Sequence, residues 1–130
     1  MKDKAAYNYG SYGYIAYKDL GTSLVMYNTG NFDACAVMLQ QAVEKLCKQK
    51  LLDNAELRWD KSLLRSHKLP RLLCALQSLY PEVQHYIPNS SLLSDAYLDT
   101  QYPGENYIEY EQKEVLEFLH LTVALFNILD

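Results

Sequence analysis

No apolar run in this sequence is long enough to cross a bilayer; the longest, Leu116 to Leu129, is interrupted by Glu117, His120, Thr122 and Asn127. Cysteine is scarce and odd in number. Cys35 and Cys47 fall on one predicted helix about 18 Å apart, too far to bridge, and no Cys-x-x-Cys pair exists. Three reduced thiols that pack in a cytoplasmic protein are the expectation, and no zinc site, because His85 and His120 have no metal-like spacing to other ligands. No Gly-x-Gly-x-x-Gly, P-loop or Gly-x-Ser-x-Gly pattern occurs, which removes the common nucleotide-fold and serine-hydrolase readings. A global excess of basic residues is also missing: 12 Lys and Arg stand against 16 Asp and Glu, so any polyanion site must be local. Residues 1 to 7 lead into a Tyr/Gly stretch instead of an apolar signal core, so no export signal is read there.

What is present is one domain's worth of helical periodicity in 130 residues, 49% of them hydrophobic. Residues 1–16 read as a loosely ordered leader, with tyrosines that cover a hydrophobic edge or, less in keeping with so few interleaved cations, stack on bases. A first helix is predicted from Tyr17 to Thr29, ending at Gly30 as a left-handed C′ residue. The strongest pattern follows. Phe32, Cys35 with Ala36, Leu39, Ala42 with Val43, Leu46 with Cys47, and Leu51 recur at three- and four-residue steps; the other face carries Gln40, Gln41, Glu44, Lys45 and Lys48, with Glu44 and Lys48 spaced for an i,i+4 pair. A third helix is expected from a Ser66 N-cap to Tyr80, short helices around 83–87 and 89–97, and a last helix from Glu111 to Leu129. No alternating strand competes, so the fold class is all-α, an up-and-down bundle of four to five antiparallel helices over residues 17–130. Apolar residues on more than one face of the last helix point to a two-fold homodimer.

Three segments, in order, carry a resemblance: Gly30-Asn31-Phe32 with Gln41-Ala42-Val43-Glu44-Lys45-Leu46-Cys47-Lys48; Ser66-His67-Lys68-Leu69; and Thr100-Gln101-Tyr102-Pro103. The chain resembles the HEPN domain family, whose members show a Gly-Asn-aromatic turn, a Gln-Ala-x-Glu-Lys-x-x-Lys helix, a Thr/Ser-His-x-Leu helix start and a Thr-Arg-Tyr-Pro segment. The resemblance implies a helical bundle, commonly dimeric, in small prokaryotic proteins often encoded beside a minimal nucleotidyltransferase. RNase members carry Arg, four to six residues, then His. Here the corresponding positions are Asp60, Lys61 and Ser62 before His67, Ser78, Leu79 and Tyr80 before His85, and Lys113, Glu114 and Val115 before His120. None is arginine, and lysine does not replace the two-pronged guanidinium grip on a phosphate. Gln101 stands where the family usually has arginine.

Charge is divided along the chain. Residues 44 to 71 hold eight cations against four carboxylates, whereas residues 72 to 130 hold Lys113 alone against nine. The resulting expectation is a nucleotide or RNA phosphate site built from Glu44, Lys45, Lys48, His67, Lys68, Arg71, Tyr97 and Tyr102, with free amides at the Ser66-His67 helix start assisting. His67 in a structural bond to a carboxylate such as Glu44, and the charges as solvated faces, are the plainer readings. The favoured function is a non-catalytic binding module without cofactor, pairing with itself and a nucleotidyltransferase in a toxin–antitoxin or defence setting. The alternatives are a divergent metal-independent RNase using His67 with Arg65 or Lys61, or a purely structural subunit.

Overall fold

The computed structural model describes residues 1–101, 103–104 and 107–130, with only the backbone of Gln101. The fold is all-α, three quarters helical, with no strand among the described residues. Helix α1 spans Tyr12–Asn28 and α2 Phe32–Asp53. Three short helices follow, α3 (Lys61–Leu64), α4 (Leu69–Leu76) and α5 (Ile87–Ser94), then α6 (Ala96–Gln101) and the long α7 (Gln112–Leu129). Single 3₁₀ segments lie at Lys4–Ala6, Leu57–Trp59 and Pro81–Tyr86.

Local chemistry sets the ends of the long helices. Ser11 accepts from the Tyr14 amide, so α1 starts at Tyr12, five residues before the start predicted from periodicity alone. At its other end Gly30, at φ +78°, closes a Schellman turn: the Gly30 amide bonds the Tyr27 carbonyl and the Asn31 amide the Met26 carbonyl. Only three residues then separate α1 from α2. The contacts Gly13 to Gln49, Asp19 to Lys45 and Tyr27 to Phe32 climb one helix as they descend the other, so the pair is antiparallel. Helix α7 runs antiparallel to α1, through Tyr17–Phe126 and Tyr27–Gln112, and therefore alongside α2 in the same direction.

Helix α2 is the rod around which the others are laid, touching α1, α4, α5, α6 and α7. Its stripe of Cys35, Ala36, Leu39, Ala42, Val43, Leu46, Cys47 and Leu51 is wholly buried. Each such leucine is worth about 1.5–3 kcal/mol of burial. Burial pushes the Cys35 thiol up to about 11 and the Cys47 thiol to about 12, so both pack as neutral hydrophobes. The middle of the chain departs most from expectation. α4 ends at Leu76 and not Tyr80, and Pro88 sits in the first turn of α5 instead of breaking a helix before it.

The ends of the fold meet. Tyr7 and Tyr17 both donate to the Asp130 carboxylate, and Lys50 of α2 pairs with it at 2.7 Å. The Tyr7 ring lies so close over Gly13 that a Cβ there would sit 2.5 Å from it. Lys50 and the two phenols hold the Asp130 carboxyl down to about 2 against the burial that opposes ionisation. A depressed carboxyl stabilises the fold above its unfolded pKa near 3.8, and that contribution disappears as pH falls towards 2. Asp130→Asn is expected to lower stability near neutrality by about 3 kcal/mol, the cost of stranding a buried lysine. Acid titration followed by circular dichroism should show the variant losing less stability than the parent across that window.

Candidate functional site

The polar face of α2 is not solvated where it was expected to be. Gln40, Glu44 and Lys48, each about one helical turn from the next, are 2%, 5% and 4% exposed. The short helices α4 to α6 close over them. A buried carboxylate needs donors for both oxygens, and Glu44 has them: Gln40 Nε2 donates to Oε1 at 3.0 Å, Lys48 Nζ to Oε2 at 3.2 Å, and His67 Nδ1 stands 3.2 Å from each oxygen. Gln41 in turn donates to Gln40 Oε1 at 2.7 Å. Among the described residues no buried side-chain nitrogen or oxygen is left unpaired.

Over this network lies a groove of about 540 Å³ lined by Gln40, Gln41, Glu44, His67, Lys68, Ser94, Tyr97 and Leu98. His67 is anchored on its buried side yet its side chain is 77% exposed, so the ring is held at the groove's mouth with its other edge in solvent. Lys68 beside it is exposed, and Tyr97 and Leu98 present apolar surface across from it. The backbone of this turn is already committed: the Lys68 amide bonds Ser66 Oγ at 3.2 Å and the Leu69 amide bonds Ser94 Oγ at 3.0 Å. The Lys68 and Leu69 amides of the expected cradle are thus spent on internal bonds, and α4 begins only at Leu69, with Lys68 and not Ser66 at its N-cap.

Of the residues nominated from sequence, Glu44, His67, Lys68 and Tyr97 converge on the groove, with Lys48 behind Glu44. The others go elsewhere. Lys45 turns to α1 and pairs with Asp19 at 2.6 Å. Arg71 bonds Ser62 Oγ at 2.5 Å, and Arg65 is exposed at the carboxyl end of α3. Tyr102 lies outside the described residues. Sequence reasoning missed Gln40, Gln41, Ser94 and Leu98; Gln40 and Gln41 were legible as the turn preceding Glu44 on the same face, whereas Ser94 and Leu98 carry no local signal. No cluster of three or more His, Cys, Asp or Glu side chains that could hold a metal occurs among the described residues.

The contact of His67 with Glu44 is the structural role read for that histidine from the sequence, and it joins the Ser66-His67 segment to the helix that carries Glu44. The profile of the HEPN domain matches residues 12–130. The chain belongs to the HEPN domain family. No curated protein and no solved structure matches it. The HEPN match begins where α1 does, and no described helix is long and apolar enough to cross a membrane.

The Glu44 network makes a stability prediction. Glu44→Leu leaves Lys48 buried without a counter-charge and should cost about 3–5 kcal/mol in urea unfolding. Lys48→Met, which leaves Glu44 with Gln40 and His67, should cost less, and the double variant should recover much of the loss. Strict additivity of the two single effects would show that the pair is not coupled.

Proposed function

We propose that this HEPN domain is a binding module whose groove takes a nucleotide, free or within RNA, by its phosphate and base. The observation that carries this reading is the His67 ring, fixed by the buried Glu44 and exposed at the mouth of a groove shared with Lys68 and Tyr97. The Glu44–Lys48 pair is neutral in sum, so the groove's charge comes from Lys68 and, when protonated, His67. Tyr97 and Leu98 offer the flat apolar surface on which a base packs. The chemistry stops at binding in this proposal, because no histidine is preceded by an arginine with four to six residues between them.

HEPN domains commonly dimerise, and Leu116 and Val123 leave apolar surface open on α7. We place the protein in the cytoplasm as a homodimer, working with a minimal nucleotidyltransferase in a toxin–antitoxin or defence pair; the free thiols Cys35, Cys47 and Cys74 accord with a reducing compartment.

A second reading, metal-independent RNA cleavage, is favoured by one specific observation. A carboxylate on Nδ1 fixes the imidazole's tautomer and orientation, which suits the opposite nitrogen to accept a proton from a ribose hydroxyl.

Calorimetry with the ribonucleoside triphosphates separates these readings together with an RNA cleavage assay. Binding that His67→Ala weakens by roughly ten- to a hundredfold, the loss of one bond to a charged group, is the expected result. Absence of any nucleotide binding by the parent overturns the proposal, and cleavage abolished by His67→Ala replaces it with the second reading.

A further inference from the structure

The segment from Asn54 to Arg65 joins α2 to α4 and is held stiffly for a connection. Asn54 Oδ1 accepts from the amides of Glu56 and Leu57, both at 2.9 Å, Leu57 packs against the core, and Asp60 caps α3 by accepting from the Leu63 amide at 3.1 Å. On this fixed turn Trp59 stands 73% exposed, with the Arg58 guanidinium over its ring 5.0 Å from the centroid. Isolated apolar side chains are ordinary on protein surfaces. The neighbours of Trp59 along the chain include four exposed cations, Arg58, Lys61, Arg65 and Lys68, against three exposed carboxylates, Asp53, Glu56 and Asp60, the last of which caps α3. An open aromatic face interleaved with cations is the composition that holds single-stranded nucleic acid, the ring stacking on a base and the cations taking phosphates. A duplex keeps its base faces inside.

We propose that Trp59, with Arg58, Lys61 and Arg65, forms a stacking platform for single-stranded RNA outside the groove. Trp59 and His67 are eight residues apart, a span below about 30 Å even in a fully extended chain. One strand can therefore lie on the platform and reach the groove. The choice of RNA as polymer rests on the groove reading, but the platform is tested without the groove being filled.

Trp59 is the sole tryptophan among twelve tyrosines, so fluorescence excited at the red edge, where tryptophan absorbs and tyrosine does not, reports on it alone. Titration with an oligoadenylate strand is expected to quench it, with an affinity that falls as salt rises. Trp59→Ala should weaken oligonucleotide binding on the order of ten- to a hundredfold, Trp59→Phe should retain part of it, and neither should change the affinity for adenosine monophosphate. Oligonucleotide binding without quenching, or unchanged in Trp59→Ala, overturns the platform while leaving the groove reading intact. Quenching without any binding of mononucleotide sustains the platform and overturns the groove. Equal quenching by duplex and single strand overturns stacking. Fluorescence that shifts with protein concentration and ignores RNA assigns the surface to the acidic half of a second copy, which also overturns the proposal.

Discussion

A carboxylate shut inside a helical bundle is tolerable only if hydrogen-bond donors surround it, and the donors that satisfy Glu44 are drawn from two separate parts of the chain. Gln40 and Lys48 come from its own helix, one turn on either side. His67 comes from the turn before α4. The bond to His67 therefore ties the turn before α4, whose leucines Leu69, Leu72, Leu73 and Leu76 are buried in the core, to the polar stripe of α2 beside the groove that Ser94, Tyr97 and Leu98 also line. A polar stripe on the central helix thus serves as the contact on which the second half of the molecule is registered.

That stripe also explains where sequence reading succeeded and where it stopped. The rod from Phe32 was legible because its apolar positions recur over five turns, and the Gly30 stop because only glycine readily adopts the left-handed turn it makes. The last helix was legible to within a residue, its start fixed by Glu111 and Glu114 in a capping box. The i,i+4 spacing of Glu44 and Lys48 predicted their pair, yet not its burial, since periodicity identifies a polar face without revealing what lies against it. The short central helices were read too long at α4 and too broken at α5. Pro70 falls in the first turn of its helix as expected, whereas Pro88, read as a boundary, also marks a first turn.

The same limit applies to the site. His67 and Lys68 were singled out because a short motif carries them, and Tyr97 because it precedes another; the three line one groove. Lys45 was grouped with them by the motif it shares with Glu44, and Arg71 by charge, although each has a nearer polar partner, in Asp19 and Ser62. Charge counted along a chain says which cations are available. Only the packing of α1 on α2, and of α4 beside α3, says which are already taken.

The Asp130 carboxylate joins residues that are 123 positions apart in the chain, Tyr7 on one side and the last turn of α7 on the other, with Lys50 of the central rod between them. Terminal turns ordinarily fray independently and exchange their amide protons early. Here the opening of either one strips partners from the other, so the two extremities form a single cooperative unit, and backbone amides at both should gain or lose exchange protection in step.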